Sequence, residues 1–300
     1  MPIVRLRRLG RLAVALPVGL VSLAMGACSP LTLLNSLVSD DGYRVEASLA
    51  YGDGPRRTLD VYVPDRLNTP APIVVFFYGG SWQSGAKDDY RFAAQGLVAR
   101  GYVVVVPDYR LWPEVAFPGF VEDGAAAVSW AFAHGASYGG DPGRVYVMGH
   151  SAGAHIAALL ALDGRYLAAV GHDRSQLAGL IGLAGPYDFL PVKSENLKQI
   201  FHIGVEDPAP SQPINFAAGG APPALLVTGD DDTTVYPKNS INLARRLGEA
   251  GDRVTLKRYP GLGHIGIVLA LARPLPFRAG ILDDVDAFVQ ATGAAVRPQP

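Results

Sequence analysis

Arg144-Val145-Tyr146-Val147-Met148-Gly149-His150-Ser151-Ala152-Gly153-Ala154-His155-Ile156-Ala157-Ala158-Leu159-Leu160-Ala161-Leu162 is the stretch on which the fold is decided. Its first five residues form a short apolar run of strand type. Residues 152–162 are small and aliphatic, the composition of a buried helix. The change of period falls on Gly149-His150-Ser151-Ala152-Gly153, a Gly-x-Ser-x-Gly pentapeptide. In a chain with 35 glycines the bare pattern is weak, because chance produces it readily. Its position carries the weight. A sharp turn from strand into helix lifts the serine hydroxyl clear of the sheet, and small flanking residues let the backbone make that turn. The competing reading, a structural serine in a tight turn, does not account for a strand running into the motif and a helix leaving it. Ser151 is therefore the candidate nucleophile, and the N–H of Ala152 is a candidate oxyanion donor.

Outward from this junction the chain alternates. Apolar runs at 44–51, 57–63, 73–78, 102–107, 144–148, 180–183, 224–228 and 254–259 predict eight strands. Stretches near 88–100, 118–135, 152–162, 239–250 and 281–292 predict helices between and after them. The runs at 73–78 and 102–107 are almost wholly hydrophobic, as strands buried on both faces must be. An early strand pair followed by β-α alternation implies a mostly parallel eight-stranded sheet with helices on both faces, the α/β class. The Pro-rich segment 191–223 is an excursion over the sheet that can wall a pocket. Sites in such sheets form beyond the carboxyl ends of the strands.

A nucleophilic serine needs a base, and the base needs an orienting carboxylate, in the chain order Ser, acid, His when the serine sits on such an elbow. Of the six histidines, only His172, His202 and His264 lie well past residue 162. His264 follows the last predicted strand in Gly261-Leu262-Gly263-His264, whereas His202 sits in the excursion. His264 is the candidate base. The acid belongs after the strand at 224–228, where Asp230, Asp231 and Asp232 stand side by side. Side-chain directions in a loop are not readable from the residues, so the three stay open at this point. A second source of oxyanion donors is Gly79-Gly80-Ser81-Trp82, directly after the strand at 73–78.

In combination these motifs resemble the α/β-hydrolase superfamily, in particular its esterase branch of hormone-sensitive-lipase-like esterases, isoprenylcysteine methylesterases and kynurenine formamidases. Tyr78-Gly79-Gly80-Ser81-Trp82 stands where that branch carries His-Gly-Gly-x-Trp. Asp108-Tyr109-Arg110-Leu111, Tyr138-Gly139-Gly140-Asp141-Pro142 with Arg144, and Ala154-His155-Ile156-Ala157 are similar too. The likeness runs over residues 57–292. It implies an α/β-hydrolase fold and a Ser151-Asp232-His264 triad, with Asp231 as the next candidate acid. It further implies an oxyanion hole of the N–H groups of Gly80, Ser81 and Ala152. The activity implied is a serine carboxylesterase acting on small to medium carboxylic esters, with no cofactor and no metal. An amidase or aryl formamidase on the same triad is the alternative within the class. Tyr78 for His is the one departure, from which altered loop packing rather than lost activity is expected.

At 49% hydrophobic and 18% charged, the chain can bury a core and is not of disordered type. The net charge of −1 is an average. Residues 1–27 carry four arginines and no acid, so the total of −1 less that +4 leaves −5 on the rest. A mildly acidic body argues against a nucleic-acid partner. Arginines, an apolar run at 12–24 and then small residues are the order of a secretory signal. Met25-Gly26-Ala27-Cys28 resembles a bacterial lipobox, and Cys28 is the only cysteine, which also excludes an intramolecular disulfide. The organisation expected is a signal peptide at 1–27, a tether at 28–42 and a catalytic domain at 43–300. The protein expected is exported to the bacterial cell envelope and lipid-anchored to a membrane at Cys28. Ser29 after that cysteine points to the outer membrane if the host is Gram-negative. Cleavage without lipidation, giving a periplasmic or secreted protein, and an uncleaved span over 12–39 are the competing outcomes. Against the enzyme stands a lipid-anchored binding protein on a silent hydrolase fold. Gly261 to Gly266 fits a dinucleotide fingerprint, but too little chain follows to complete the βαβ unit it needs. Asp230 to Thr234 matches a phosphatase motif that belongs after an early strand, and this one is late. Trp82 and Trp112 are candidate pocket walls.

Overall fold

The computed structural model describes residues 34–67, 70–273 and 280–293, so Cys28 and the whole expected leader lie outside the described residues. Eight strands form one sheet: β1 (Tyr43–Ala50), β2 (Thr58–Pro64), β3 (Ala71–Phe77), β4 (Val103–Pro107), β5 (Gly140–His150), β6 (Leu177–Leu183), β7 (Ala224–Gly229) and β8 (Val254–Tyr259). Their order is β1-β2-β4-β3-β5-β6-β7-β8. β2 is antiparallel to both β1 and β4, and every other pairing is parallel, so β2 alone runs against the rest. The fold is that of an α/β-hydrolase.

Burial follows the sequence pattern. Every residue of β3, β4, β6 and β7 is buried, which is what their continuous apolar runs require. β1 closes one edge and is largely exposed, with Arg44 and Glu46 among its outward side chains. Charge on an edge strand discourages pairing with a second sheet.

The helices are α1 (Arg91–Val98), α2 (Gly119–His134), α3 (Ala152–Leu162), α4 (Gly164–Ala168), α5 (Glu195–Ile200), α6 (Lys238–Glu249), α7 (His264–Leu269) and α8 (Ile281–Gly293). α2 packs on α3, and α3 and α6 share the turn Pro213–Phe216, which sets these three on one face. α1 and α8 cover the other face, where Gly96 abuts Leu282 and Phe288 meets Tyr146 of β5. α3 is buried all round, the condition of a central helix that is apolar on every side.

Three differences from the expected elements have local causes. The helix expected at 88–100 begins as a 3-10 turn, Lys87–Tyr90, before α1. The Lys87 ammonium is held against Asp60 at 2.9 Å, and the Lys87 backbone N–H donates to Asp108 Oδ1 at 2.9 Å, pinning that turn to the sheet. β5 starts four residues early because Gly140 pairs with Ala71 of β3. α4, α5 and α7 were not expected, since helices of five or six residues are too short to display a period.

The end of the expected tether is fastened down. Leu34 is buried, and the Asn35 side chain donates to the Asp88 carbonyl at 2.7 Å while accepting from the Phe92 N–H at 3.0 Å. Among the described residues no helix is long and apolar enough to cross a membrane.

Candidate active site

β5 delivers Ser151 and α3 leaves it, as the change of period requires. Ser151 has φ 55° and ψ −122°, a conformation that strains a non-glycine residue and that is held here by its surroundings. Its N–H donates to the Leu183 carbonyl of β6 at 2.9 Å, and its carbonyl accepts from the His155 N–H at 3.1 Å. The flanking glycines are needed for closeness. A Cβ on Gly153 would lie 2.0 Å from the Phe77 carbonyl oxygen, and one on Gly149 would lie 2.3 Å from the Gly153 backbone. The elbow therefore closes only with hydrogen at both positions.

The loop after β7 brings the acid and the loop after β8 brings the base. His264 Nε2 lies 2.8 Å from Ser151 Oγ, and its Nδ1 lies 2.8 Å from Asp232 Oδ2. Asp232 is buried, and its Oδ1 accepts from the N–H groups of Thr234 at 2.9 Å and Val235 at 2.8 Å. Burial alone would raise its carboxyl pKa. The hydrogen bonds from His264, Val235 and Thr234 outweigh it and hold the group below its ordinary value. The neighbouring aspartates face elsewhere: Asp230 pairs with Arg258 at 2.8 Å, and Asp231 is exposed. His264 opens α7 instead of sitting in an open loop, which anchors the base on a regular element.

Gly80, Ser81 and Trp82 all have positive φ, at 138°, 52° and 59°. Two consecutive non-glycine residues in that region turn the loop back on itself beside Ser151. The Gly80 carbonyl accepts from the N–H groups of Gln83 and Ser84, while the N–H groups of Gly80, Ser81 and Ala152 donate to no protein acceptor among the described residues.

Tyr78 anchors this loop. Its hydroxyl donates to Asp108 Oδ1 at 2.9 Å and accepts from Arg56 Nη2 at 2.6 Å, and its ring stacks on Tyr109 at 4.6 Å. Burial is the main reason that its phenol pKa lies far above the ordinary value. The Tyr109 hydroxyl closes the arrangement by donating to the Tyr78 carbonyl at 2.8 Å.

Two further histidines were missed as parts of the site by sequence reasoning, which saw them only as motif letters. His150 is buried, and its Nε2 lies 3.1 Å from the His264 carbonyl, so its proton sits on Nε2 and bridges the elbow to the base. Burial and the neighbouring His264 lower its pKa to about 3. His155 points from α3 to the Ser211 carbonyl at 2.7 Å, tying the excursion to the nucleophile helix. Burial lowers its pKa to about 4. Its ring meets Trp82 edge-on at 5.0 Å.

A cavity of about 570 Å³ opens on Ser151, walled by Trp82, by Phe189 and Leu190, by Pro191 and Leu197 of the excursion, and by Val235 and Tyr236 after the acid. The excursion thus forms the pocket wall expected of it. Trp82 lines the cavity; Trp112 does not, and serves the site through its N–H, which donates to the Trp82 carbonyl at 2.9 Å. A serine within hydrogen-bond reach of a base, a base with a fixed tautomer, backbone N–H groups left without protein acceptors and a cavity of mixed polar and apolar lining suit attack on a carbonyl carbon.

Known proteins resemble this chain over most of its length. Residues 59–247 match the BD-FAE family model. The isoprenylcysteine alpha-carbonyl methylesterase of Arabidopsis thaliana is 30% identical over 83% of this chain and 62% of its own length. Esterase LipC of Mycobacterium tuberculosis is 31% identical over 71% of this chain and 58% of its own length. The chain therefore spans only part of the length of these curated relatives. Among solved structures, a truncated carbohydrate esterase from gut microbiota superposes with a TM-score of 0.75 at 23% identity, covering 85% of this chain and 99% of that one.

Proposed function

Because the chain belongs to the BD-FAE family, whose match spans more than half of it, we propose that it is a serine carboxylesterase working through an acyl-enzyme on Ser151. The observation that carries the reading is the unbroken hydrogen-bonded run Asp232–His264–Ser151, with 2.8 Å at both links.

In the mechanism, Ser151 Oγ attacks the ester carbonyl carbon as His264 Nε2 takes its proton. Asp232 accepts the Nδ1 hydrogen, so the tautomer with a basic Nε2 is the one present, and the imidazolium that forms is stabilised. The tetrahedral oxyanion rests on the N–H groups of Gly80, Ser81 and Ala152, which the fold leaves without protein acceptors. Each such donor supports about 10²–10³ in rate. His264 then returns its proton to the departing alkoxide oxygen. Water, deprotonated by the same nitrogen, attacks the acyl-enzyme and releases the carboxylic acid.

Export and anchoring at Cys28 are proposed alongside, supported by the order of residues 1–28 alone.

The test is labelling with a fluorophosphonate followed by hydrolysis of p-nitrophenyl esters of increasing chain length. Wild type labels on Ser151 and turns over. Ser151→Ala does neither, and Asp232→Asn loses about 10⁴ in kcat, whereas Asp231→Asn stays near wild type. A wild-type protein that neither labels nor hydrolyses esters would leave the silent binding protein standing instead.

A further inference from the structure

We infer that the ester taken by this site also carries an anionic group, recognised by Lys193 and Lys238; the inference rests on the esterase reading above. The chain has five lysines, all within the described residues. Three are ion-paired: Lys87 with Asp60 at 2.9 Å, Lys198 with Glu195 at 2.8 Å and Lys257 with Asp284 at 2.9 Å. Lys193 and Lys238 have no acidic partner among the described residues, and both line the cavity that opens on Ser151.

Their isolation is local and double. Glu195, two residues beyond Lys193, is engaged by Lys198. Lys238 is the first residue of α6, whose first turn holds no acid. A cation at that end of a helix opposes the backbone dipole, so its place is not explained by helix stability. No residue lining the cavity is acidic. A further unmatched polar atom in the wall is also a donor, the buried indole Nε1 of Trp82.

On a body carrying −5, a mouth with only cations is a reversal of the prevailing charge, and it draws anions toward the nucleophile. The apolar part of the wall, Phe189, Leu190, Leu197 and Val235, suits the uncharged remainder of the same molecule. The substrate class is thus an amphipathic ester with a second, negatively charged group on its acyl or its alcohol side.

The test uses the full chain and two pairs of esters. p-Nitrophenyl hemiglutarate against p-nitrophenyl pentanoate puts the anion on the acyl side. 4-Acetoxybenzoate against 4-acetoxybenzamide puts it on the leaving group. Each kcat/KM is divided by the same ester's rate with hydroxide, to remove intrinsic reactivity. The anionic member of at least one pair is expected to be favoured by about fivefold or more. The preference should shrink as salt rises from about 0.05 to 0.5 M, where the screening length falls to a few ångströms. Lys193 and Lys238 are both exposed, and Lys193→Gln and Lys238→Gln should each lower the ratio about two- to fivefold, the scale of an exposed ion pair. Lys257→Gln, a lysine that does not line this cavity, should leave it unchanged. A ratio near one in both pairs overturns the inference, as does a preference indifferent to salt and to both lysines; in either case the esterase stands if neutral esters turn over. Failure of all four esters together with no labelling of Ser151 overturns the esterase reading itself.

Discussion

Ser151 and the elbow glycines were legible as residues because they follow a strand with an unbroken apolar run, and His264 because it follows the last strand in the chain order that the elbow demands. Asp232 was not legible from its neighbourhood. Three adjacent aspartates have the same chemistry, and what separates them is the direction each takes from a tight loop: inward to His264, outward to Arg258, or into solvent. His155 illustrates the same limit with a thermodynamic consequence. Its pKa is lowered from the ordinary 6.5 to about 4, chiefly by burial, so the folded protein keeps it neutral where the unfolded chain would protonate it. A group depressed in this way contributes stability that is complete above 6.5 and is lost as pH falls toward about 4. His155→Gln retains a donor for the Ser211 carbonyl and removes the titration. Between about pH 6 and 4.5, the unfolding free energy of wild type should therefore fall more steeply than that of the variant, by about 1 kcal/mol per pH unit. Above pH 7 the two curves should run parallel. Urea titrations at half-unit intervals measure this, and parallel curves throughout would contradict the assignment.

At the scale of elements, the loop from Tyr78 to Trp82 links packing to chemistry. Its start is fixed because Tyr78 is held by Asp108, Arg56 and the stacked Tyr109 ring, all belonging to neighbouring segments. Tyr78→Phe keeps the stack and deletes the hydroxyl, leaving Asp108 and Arg56 each short of a partner in a partly buried place. The expected cost is about 1–3 kcal/mol, read in a body of this size as a Tm lower by about 2–6 °C. Activity should fall modestly, through kcat more than KM, because the donors serve the oxyanion and not the bound ester. An unchanged Tm would mean that the network does not hold the loop. The elements themselves were readable where a period or an unbroken apolar run had room to show, as in β3, β4 and α3. They were unreadable where tertiary contacts decide. The 3-10 turn at Lys87–Tyr90 exists because a buried lysine meets Asp60, and the early start of β5 exists because β3 lies beside it. Neither partner is near in sequence.

At the scale of the whole molecule, the residues assigned to catalysis are separate from the proposed attachment point. Every residue assigned to the reaction lies between Gly80 and His264, on elements joined through one sheet, and the body begins to pack at Leu34. If Cys28 carries lipid, only residues 29–33 separate it from the first fastened residue. At about 3.5 Å per residue those five span at most roughly 20 Å. The body would then ride close to the bilayer surface on a short leash, instead of roaming on the 15-residue tether first expected. Its net charge of −5 gives it no attraction of its own to an anionic surface, so the lipid must supply the attachment. Cys28→Ser should consequently move the protein from the membrane pellet to the soluble fraction. Its kcat/KM for a small soluble ester should stay within about twofold of wild type, since no catalytic group depends on the anchor. Mass spectrometry of the wild-type N-terminus should find an acylated Cys28. A variant that stays with the membranes would show that something other than the cysteine holds it there. A variant that leaves them but loses activity would show that the leash, short as it is, supports the site it tethers.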